Sequence, residues 1–277
     1  MKTEMISALM ELFAMAYHSR EKTAGVFEDL AAGALIYPDE WELIRDFIYK
    51  AALKKDPSLE GYIDQAVRKI VNGTILPYPL SMTLFTERAL NTASIFGVGQ
   101  YVMIGSGYNT FAYRQGYWSS AMEIFELSKK DFTDDKIARL ISAGIRIPEN
   151  VHYVDYDGSD FSEILTQNAA FSRNKATYYC VRGKNDCLDP EKFSAIMASL
   201  EKIASPGSGV TFCYDNTFGI YDFRRVQRLM EKYGFLIYEH VGAFEMDAVF
   251  FSRYNGANPL NEIHAPENIG YCLAVKK

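Results

Sequence analysis

The first third of the chain carries apolar residues at the spacing of an α-helix. In the opening segment these residues are Ile6, Leu9, Met10, Phe13 and Tyr17. They recur every three or four positions, which places them on one helical face. Farther along, Pro38 with acidic residues behind it marks a helix start, and Asn72-Gly73 marks a helix end. The pattern predicts helices throughout residues 1–95.

From residue 100 onward, short apolar runs alternate with helical segments. Seven runs predict strands: QYVMIG, AMEIFEL, VHYVDY, ATYYCV, GVTFCY, FLIYEHV and GYCLAVKK. Five helical segments lie between them: NTFAYRQGYW, DDKIARLISAG, SDFSEILTQN, PEKFSAIMASLEKIA and YDFRRVQRLMEKYG. This alternation predicts a doubly wound α/β domain over 96–277, with helices on both faces of a mostly parallel sheet. Residues 1–95 form an N-terminal helical cap in this interpretation, and 242–269 are predicted to be irregular.

Composition and charge narrow the classes of partner. Of the 277 residues, 48% are hydrophobic and 14% aromatic, so a sizeable core can be buried. The formal net charge of −6 and the lack of long basic runs argue against a nucleic-acid partner. No run of 18 apolar residues predicts a membrane span, and Glu4 and Glu11 interrupt any signal-peptide core. We expect a cytoplasmic protein without a membrane partner, and its oligomeric state is left open.

The four cysteines indicate neither a metal site nor a disulfide. Cys180, Cys187, Cys213 and Cys272 include no CxxC pair, and three of them lie in the apolar strand runs. Buried free thiols are therefore favoured, and no metal is expected.

The candidate chemistry lies at the predicted strand ends. Gly105 and Gly107 follow the first strand, where glycines let the backbone approach a ligand, but Thr110 replaces the third glycine of a dinucleotide motif. Glu126 closes the second strand, where an acid accepts the ribose hydroxyls. Asp157 ends the third strand, with Asp155 and Asp160 as nearby alternatives. The three signals indicate an adenosine-containing ligand, either NAD or S-adenosylmethionine (SAM).

Two observations favour SAM over NAD. A sulfonium ligand needs no pyrophosphate cradle, so the short Gly-x-Gly suffices for it. The two lysines that follow Glu126 in the chain, Lys129 and Lys130, also depart from the pattern of NAD-binding proteins.

The segment IGSGYNTFAYR resembles the glycine motif of the leucine carboxyl methyltransferase family. Further resemblance lies in FAMAYHSRE with VFEDLAAGAL, in LSMTLFTERAL, EIFEL, NVHYVDYD and PGSGVTFCY, and in the C-terminal segment. The resemblance covers nearly the whole chain. It implies a class I SAM-dependent methyltransferase fold, Rossmann-like and seven-stranded, and SAM as the cofactor.

The resemblance also assigns site residues. The expected cofactor-binding residues are Arg88, Gly105, Ser106, Gly107, Asn109, Glu126, Tyr156 and Asp157. Among them, Arg88 would pair with the methionine carboxylate, Glu126 would hold the ribose, and Tyr156 with Asp157 would flank adenine. The expected substrate-binding residues are Tyr17, His18 and Arg20 of the entry segment, Tyr214, and three residues of a polar run that the family motif lacks, namely Arg182, Lys184 and Asn185. His18 is the candidate base.

The chain departs from the family pattern where cofactor and acceptor should meet. Asn109 replaces an aspartate, Ser128 replaces an acid, and the polar run VRGKNDCL replaces an apolar motif after the fourth strand. The cations of that run predict O-methylation of a small acidic molecule, with a carboxylate as the favoured nucleophile. Two alternatives stay open: a SAM-binding protein that has lost methyl transfer, and a nucleotide-dependent oxidoreductase.

Overall fold

In the part of the chain that the structure describes, five α-helices precede the sheet, as the helical spacing predicts. The computed structural model describes residues 3–20, 25–183, 189–215 and 222–277. The helices are α1 Thr3–Ser19, α2 Leu30–Ala34, α3 Pro38–Lys55, α4 Ile63–Ile70 and α5 Pro77–Ile95, with a 3₁₀ turn at Pro57–Leu59 and a π-helical turn at Val71–Ile75. Helix α3 begins at a proline and carries acids in its first turn and lysines in its last, which complements the helix dipole.

Seven strands form one sheet, and each corresponds to one of the apolar runs. They are β1 Gln100–Ile104, β2 Glu123–Ser128, β3 Val151–Asp155, β4 Thr177–Val181, β5 Gly209–Asp215, β6 Phe235–Val241 and β7 Ile269–Lys276. Their spatial order is β3-β2-β1-β4-β5-β7-β6. Strands β1 to β5 run parallel, and β7 is antiparallel to β5 and β6. The predicted mostly parallel, seven-stranded sheet is confirmed.

The connecting segments contain two corrections to the sequence analysis. Helices α6 Lys130–Ser142, α7 Ser162–Gln167, α8 Pro190–Ile203 and α9 Phe223–Lys232 lie where they were predicted. The segment after β1 is no α-helix but a 3₁₀ turn at Phe111–Tyr113, because the Asn109 side chain accepts the N–H of Phe111 at 2.9 Å. The stretch predicted to be irregular contains α10 Ala243–Met246, a π-helical turn at Asp247–Phe251 and α11 Ser252–Ala257. Its start is stabilised by Glu245, which accepts the N–H of Gly242.

Helix α5 joins the N-terminal helices to the sheet in one continuous core. The Tyr78 hydroxyl lies 3.2 Å from the sulfur of Cys213 on β5. Farther along α5, the rings of Phe85 and Tyr271 on β7 lie 6.0 Å apart. Cys180, Cys213 and Cys272 are buried free thiols, as predicted, and Cys187 lies outside the described residues.

Within the described ranges, no helix is long and apolar enough to cross a membrane. Those ranges also hold no cluster of three His, Cys, Asp or Glu residues that could bind a metal ion.

Candidate functional site

A cavity of about 430 Å³ lies at the carboxyl ends of β1, β2, β3 and β4. This volume is in the range of small-molecule sites. The spatial order of the strands reverses between β1 and β4, so the cavity opens at the switch point of the sheet, where α/β proteins bind their ligands.

The glycine turn after β1 forms the floor of the cavity. Gly105 and Gly107 adopt φ angles of +72° and +49°, which side-chain-bearing residues rarely adopt. The N–H groups of Gly105 and Ser106 both donate to the Leu127 carbonyl, so the turn is held against β2. The hydroxyl of Ser106 is buried and has no hydrogen-bond partner among the described residues. All four predicted turn residues, Asn109 included, line the cavity.

Glu126 does not line the cavity, so the cavity gives no support to its assignment to the ribose. It lies two residues before the end of β2, so its side chain is buried beneath the edge of the sheet, with Oε2 at 2.5 Å from Nζ of Lys136 on α6. Burial raises the pKa of Glu126 and lowers that of Lys136, and each charge opposes the shift of the other. Ser128 and Lys129 line the cavity in its place.

Tyr156 and Asp157 line the cavity after β3, where the sequence analysis placed them. The N–H of Tyr156 donates to the Ser128 carbonyl, and its ring packs edge-on against Phe161. Hydrogen bonds from Ser159 lower the pKa of the exposed Asp157 carboxyl, which therefore stays ionised and available as an acceptor.

Arg88 is not brought to the cavity. Helix α5 faces the cavity with Tyr78, Pro79, Met82 and Thr83. At about 100° per residue, Arg88 lies roughly 140° around the helix from Thr83. Its guanidinium instead pairs with Glu239 on β6, with Nη2 at 2.5 Å from Oε1. The orientation of the helix therefore gives no support to the expectation that Arg88 pairs with the methionine carboxylate.

A second buried cluster touches the cavity, and sequence reasoning assigned none of its residues. Arg114 makes a two-pronged contact with Glu87, at 2.5 and 3.0 Å, and lies 3.3 Å from the Asp29 carboxylate. Asp29 also accepts from the Thr110 hydroxyl and caps α2 through the N–H of Ala32. Arg114 and Asp29 lie within the motifs TFAYR and VFEDLA, which were the signal available in the sequence.

Arg182 lines the cavity directly beside the glycine turn. Its backbone N–H donates to the carbonyl of Ile104, the last residue of β1, and its Nη2 donates to the Thr83 hydroxyl at 3.1 Å. Lys184 and Asn185, the other predicted residues of this run, lie outside the described residues.

The N-terminal residues assigned to the substrate point away from the cavity. His18 accepts the Val26 N–H at Nε2 and packs against the Tyr254 ring, so the structure gives no support to its role as a base. Arg20 lies over the ring of Trp41, and Tyr17 stacks on the same ring. Helix α1 faces the cavity with another helical stripe, which consists of Glu4, Ser7, Ala8, Glu11, Leu12 and Met15.

Tyr214 also lies outside the cavity lining. It is buried at the end of β5, where its hydroxyl is 2.9 Å from Nε2 of His240 and its ring packs over Gly270. These contacts give the Tyr214 side chain a role in packing, and no substrate contact is needed to explain its position.

A mostly parallel seven-stranded sheet with an antiparallel last strand, and a glycine turn at its switch point, define a class I methyltransferase fold. The sequence profile of the leucine carboxyl methyltransferase family matches residues 8–201. The chain belongs to this family.

Curated relatives align over much or all of the chain. YktD of Bacillus subtilis (strain 168), named as a SAM-dependent methyltransferase, is 26% identical over 98% of both chains. A Frankia alni protein of the same description is 21% identical, over 75% of this chain and 77% of its own.

Solved structures with detectable similarity are more distant. The glycopeptide N-methyltransferase MtfA is 13% identical with a TM-score of 0.43, covering 69% of this chain and 96% of its own. The DhpI–SAH complex is 12% identical with a TM-score of 0.45, covering 83% and 97%.

The residues at the cavity fit SAM, with one departure. Because Gly107 has no side chain, a ligand can come close to the backbone of the turn. The buried Ser106 hydroxyl, which has no partner among the described residues, can donate or accept a hydrogen bond at the same turn. Asp157 offers an ionised acceptor, and Arg182 offers a cation. The departure is at the end of β2, where Ser128 lines the cavity and Glu126 does not.

Proposed function

We propose that this SAM-dependent methyltransferase transfers the methyl group to an oxygen of a small acidic acceptor, with a carboxylate as the nucleophile. The cofactor is SAM, which supplies an electrophilic methyl group on a sulfonium. Family membership makes the chain a methyltransferase, so the proposal concerns the acceptor alone.

One observation carries the proposal: the part of the cavity lining that the structure describes contains no histidine or cysteine, and three of its four acids are paired or have a lowered pKa. Glu4 pairs with Lys129 at 2.6 Å, Asp29 is held by Arg114 and Thr110, and the pKa of Asp157 is lowered. An alcohol or amine acceptor benefits from a base. A carboxylate has an ordinary pKa near 4, so it is already an ionised nucleophile at neutral pH.

The walls of the cavity suit an acceptor with an apolar body. Leu12 and Met15 of α1 and Tyr78 and Met82 of α5 line the cavity, and these apolar side chains can exclude water from the reacting groups. Lys192, in the first turn of α8, adds a cation at the cavity that attracts an anion. Alignment of the two reactants in this enclosed space can supply about 7–11 kcal/mol of the barrier reduction.

The test is the chemical stability of the transferred label. The protein is incubated with methyl-labelled SAM and a panel of carboxylic acids, phenols, alcohols and amines, and the products are treated with alkali. A carboxylate acceptor gives a methyl ester, which releases labelled methanol in alkali. Label that stays bound after alkali marks an ether or an N-methyl product and overturns the proposal.

A charge variant tests the acidity of the acceptor. Lys192→Met should raise the KM for the acceptor a few-fold, and more so at low salt, because the cation no longer attracts the anion. Glu191→Gln is the matched control on the same helical turn, and it does not line the cavity. An unchanged KM in Lys192→Met at low salt would contradict an anionic acceptor at this end of the cavity.

A further inference from the structure

Among the residues that the structure describes, four cations line the cavity, and two of them are paired with carboxylates. Arg114 is paired with Glu87 and Asp29, and Lys129 is paired with Glu4. Lys192 is exposed on α8. Arg182 is partly buried, and the described residues give its guanidinium a hydroxyl partner, Thr83, but no carboxylate. Arg182 is thus the cation that can meet a ligand anion at the floor of the cavity.

Arg182 lies next to the glycine turn. Its N–H is bonded to Ile104, the residue directly before Gly105, so it lies between β1 and β4 at the switch point of the sheet. An arginine has five N–H donors, and the contact with Thr83 uses one. The described residues accept no further hydrogen bond from this guanidinium, so its other donors can form a two-pronged contact with a carboxylate.

We propose that Arg182 binds the carboxylate of the methionine part of SAM, the role expected of Arg88, and that it does not bind the acceptor. Thr83 holds the guanidinium in place from α5. The face of α5 that meets the cavity carries no charge of its own, so the cation for the cofactor comes from the end of β4. The inference rests on the use of SAM and not on the identity of the acceptor.

The experiment compares two ligands that differ in the amino-acid part. S-adenosylhomocysteine (SAH) has the carboxylate, whereas 5′-methylthioadenosine keeps the adenosine and thioether and lacks it. In calorimetry, Arg182→Met should weaken SAH binding by about 10- to 100-fold, the loss of a charge-assisted contact. Binding of 5′-methylthioadenosine should stay unchanged.

Two further variants sharpen the comparison. Thr83→Val removes the hydroxyl and keeps the charge, so it should weaken SAH binding less than Arg182→Met does and leave 5′-methylthioadenosine binding unchanged. Arg88→Met is the matched control, because Arg88 pairs with Glu239 away from the cavity, and it should change the affinity for neither ligand.

Two outcomes would overturn the inference. Unchanged SAH binding in Arg182→Met, with a raised KM for the acceptor, would make Arg182 an acceptor residue. Equal losses for SAH and 5′-methylthioadenosine, with a lower melting temperature, would make its role structural. Calorimetry needs neither acceptor nor turnover, so an alkali-stable product in the labelling experiment would leave this result untouched.

Discussion

At the scale of single residues, the glycine turn depends on backbone conformation more than on space. A Cβ at Gly107 would meet no atom within 4 Å, but the residue has a φ of +49°. Gly33 in α2 is the opposite case, since a Cβ there makes ordinary contacts at 3.9 Å and its φ is not positive. Substitutions at these two glycines therefore distinguish the cost of backbone strain from the cost of side-chain crowding.

We predict that Gly107→Ala lowers the free energy of unfolding by about 1–2 kcal/mol, the cost of a left-handed conformation for an L-residue. Gly33→Ala should raise it by up to about 1 kcal/mol, because alanine favours the helix. Urea unfolding of both variants measures the two changes. A Gly107→Ala variant as stable as the parent would show that the turn relaxes to negative φ.

At the scale of elements, β2 and α6 are joined by a buried ion pair. Glu126 and Lys136 are each 1% exposed, and Oε1 of Glu126 has no hydrogen-bond partner among the described residues. Removal of one member of such a pair leaves a buried charge uncompensated. The pair therefore joins the end of β2 to α6, and loss of either member should destabilise the fold.

We predict that Lys136→Met lowers the free energy of unfolding by about 3–5 kcal/mol, and that adding Glu126→Gln recovers part of the loss. Glu126→Gln alone should leave the SAH affinity of the folded protein nearly unchanged, as calorimetry can measure. A large loss of SAH affinity in a stably folded Glu126→Gln protein would return Glu126 to the ribose site.

The Glu126–Lys136 pair also predicts how the stability of the Lys136→Met variant changes with pH. Burial raises the pKa of Glu126, and without Lys136 the largest interaction that opposes that shift is lost. Between the unfolded and folded pKa values, the folded Lys136→Met variant binds a proton that the unfolded chain does not. Its stability should therefore be highest below the unfolded pKa of Glu126 and fall as pH rises through the folded pKa. Urea unfolding at several pH values, with the double variant as control, checks the sign.

At the scale of the whole molecule, Arg114 connects three distant stretches of chain. It contacts Asp29 at the start of α2 and Glu87 on α5, and its own position follows the glycine turn. The cluster thus holds the N-terminal helices, the sheet and the floor of the cavity in one arrangement. Its side chains are less than one-fifth exposed, so solvent screens them weakly.

We predict that Arg114→Met lowers the free energy of unfolding by about 3 kcal/mol and weakens SAH binding, because Asp29 and Glu87 lose their counter-charge and the turn loses its support. Arg146→Met is the control, since the Arg146–Glu149 pair is exposed and should change stability by less than about 0.5 kcal/mol. Equal stability of the two variants in urea would contradict a structural role for the cluster.

The pattern of apolar residues predicts the seven strands because strand formation leaves a local signal. Gly105, Gly107 and Asp157 could likewise be assigned to the site, since residues just after parallel strands meet at one edge of the sheet. The 3₁₀ turn after β1 and the helices within 242–269 were missed, because side-chain caps such as those of Asn109 and Glu245 override the apolar spacing.

The sequence by itself determined the seven strands, the family and the glycine turn, all of which depend on residues close together in the chain. Only the tertiary structure decided which side chains reach the cavity. Glu126 misses it because β2 continues two residues farther, and Arg88 misses it because of how α5 rotates against the sheet. Arg182 meets Thr83 across 99 positions, a contact that packing creates and local pattern does not encode.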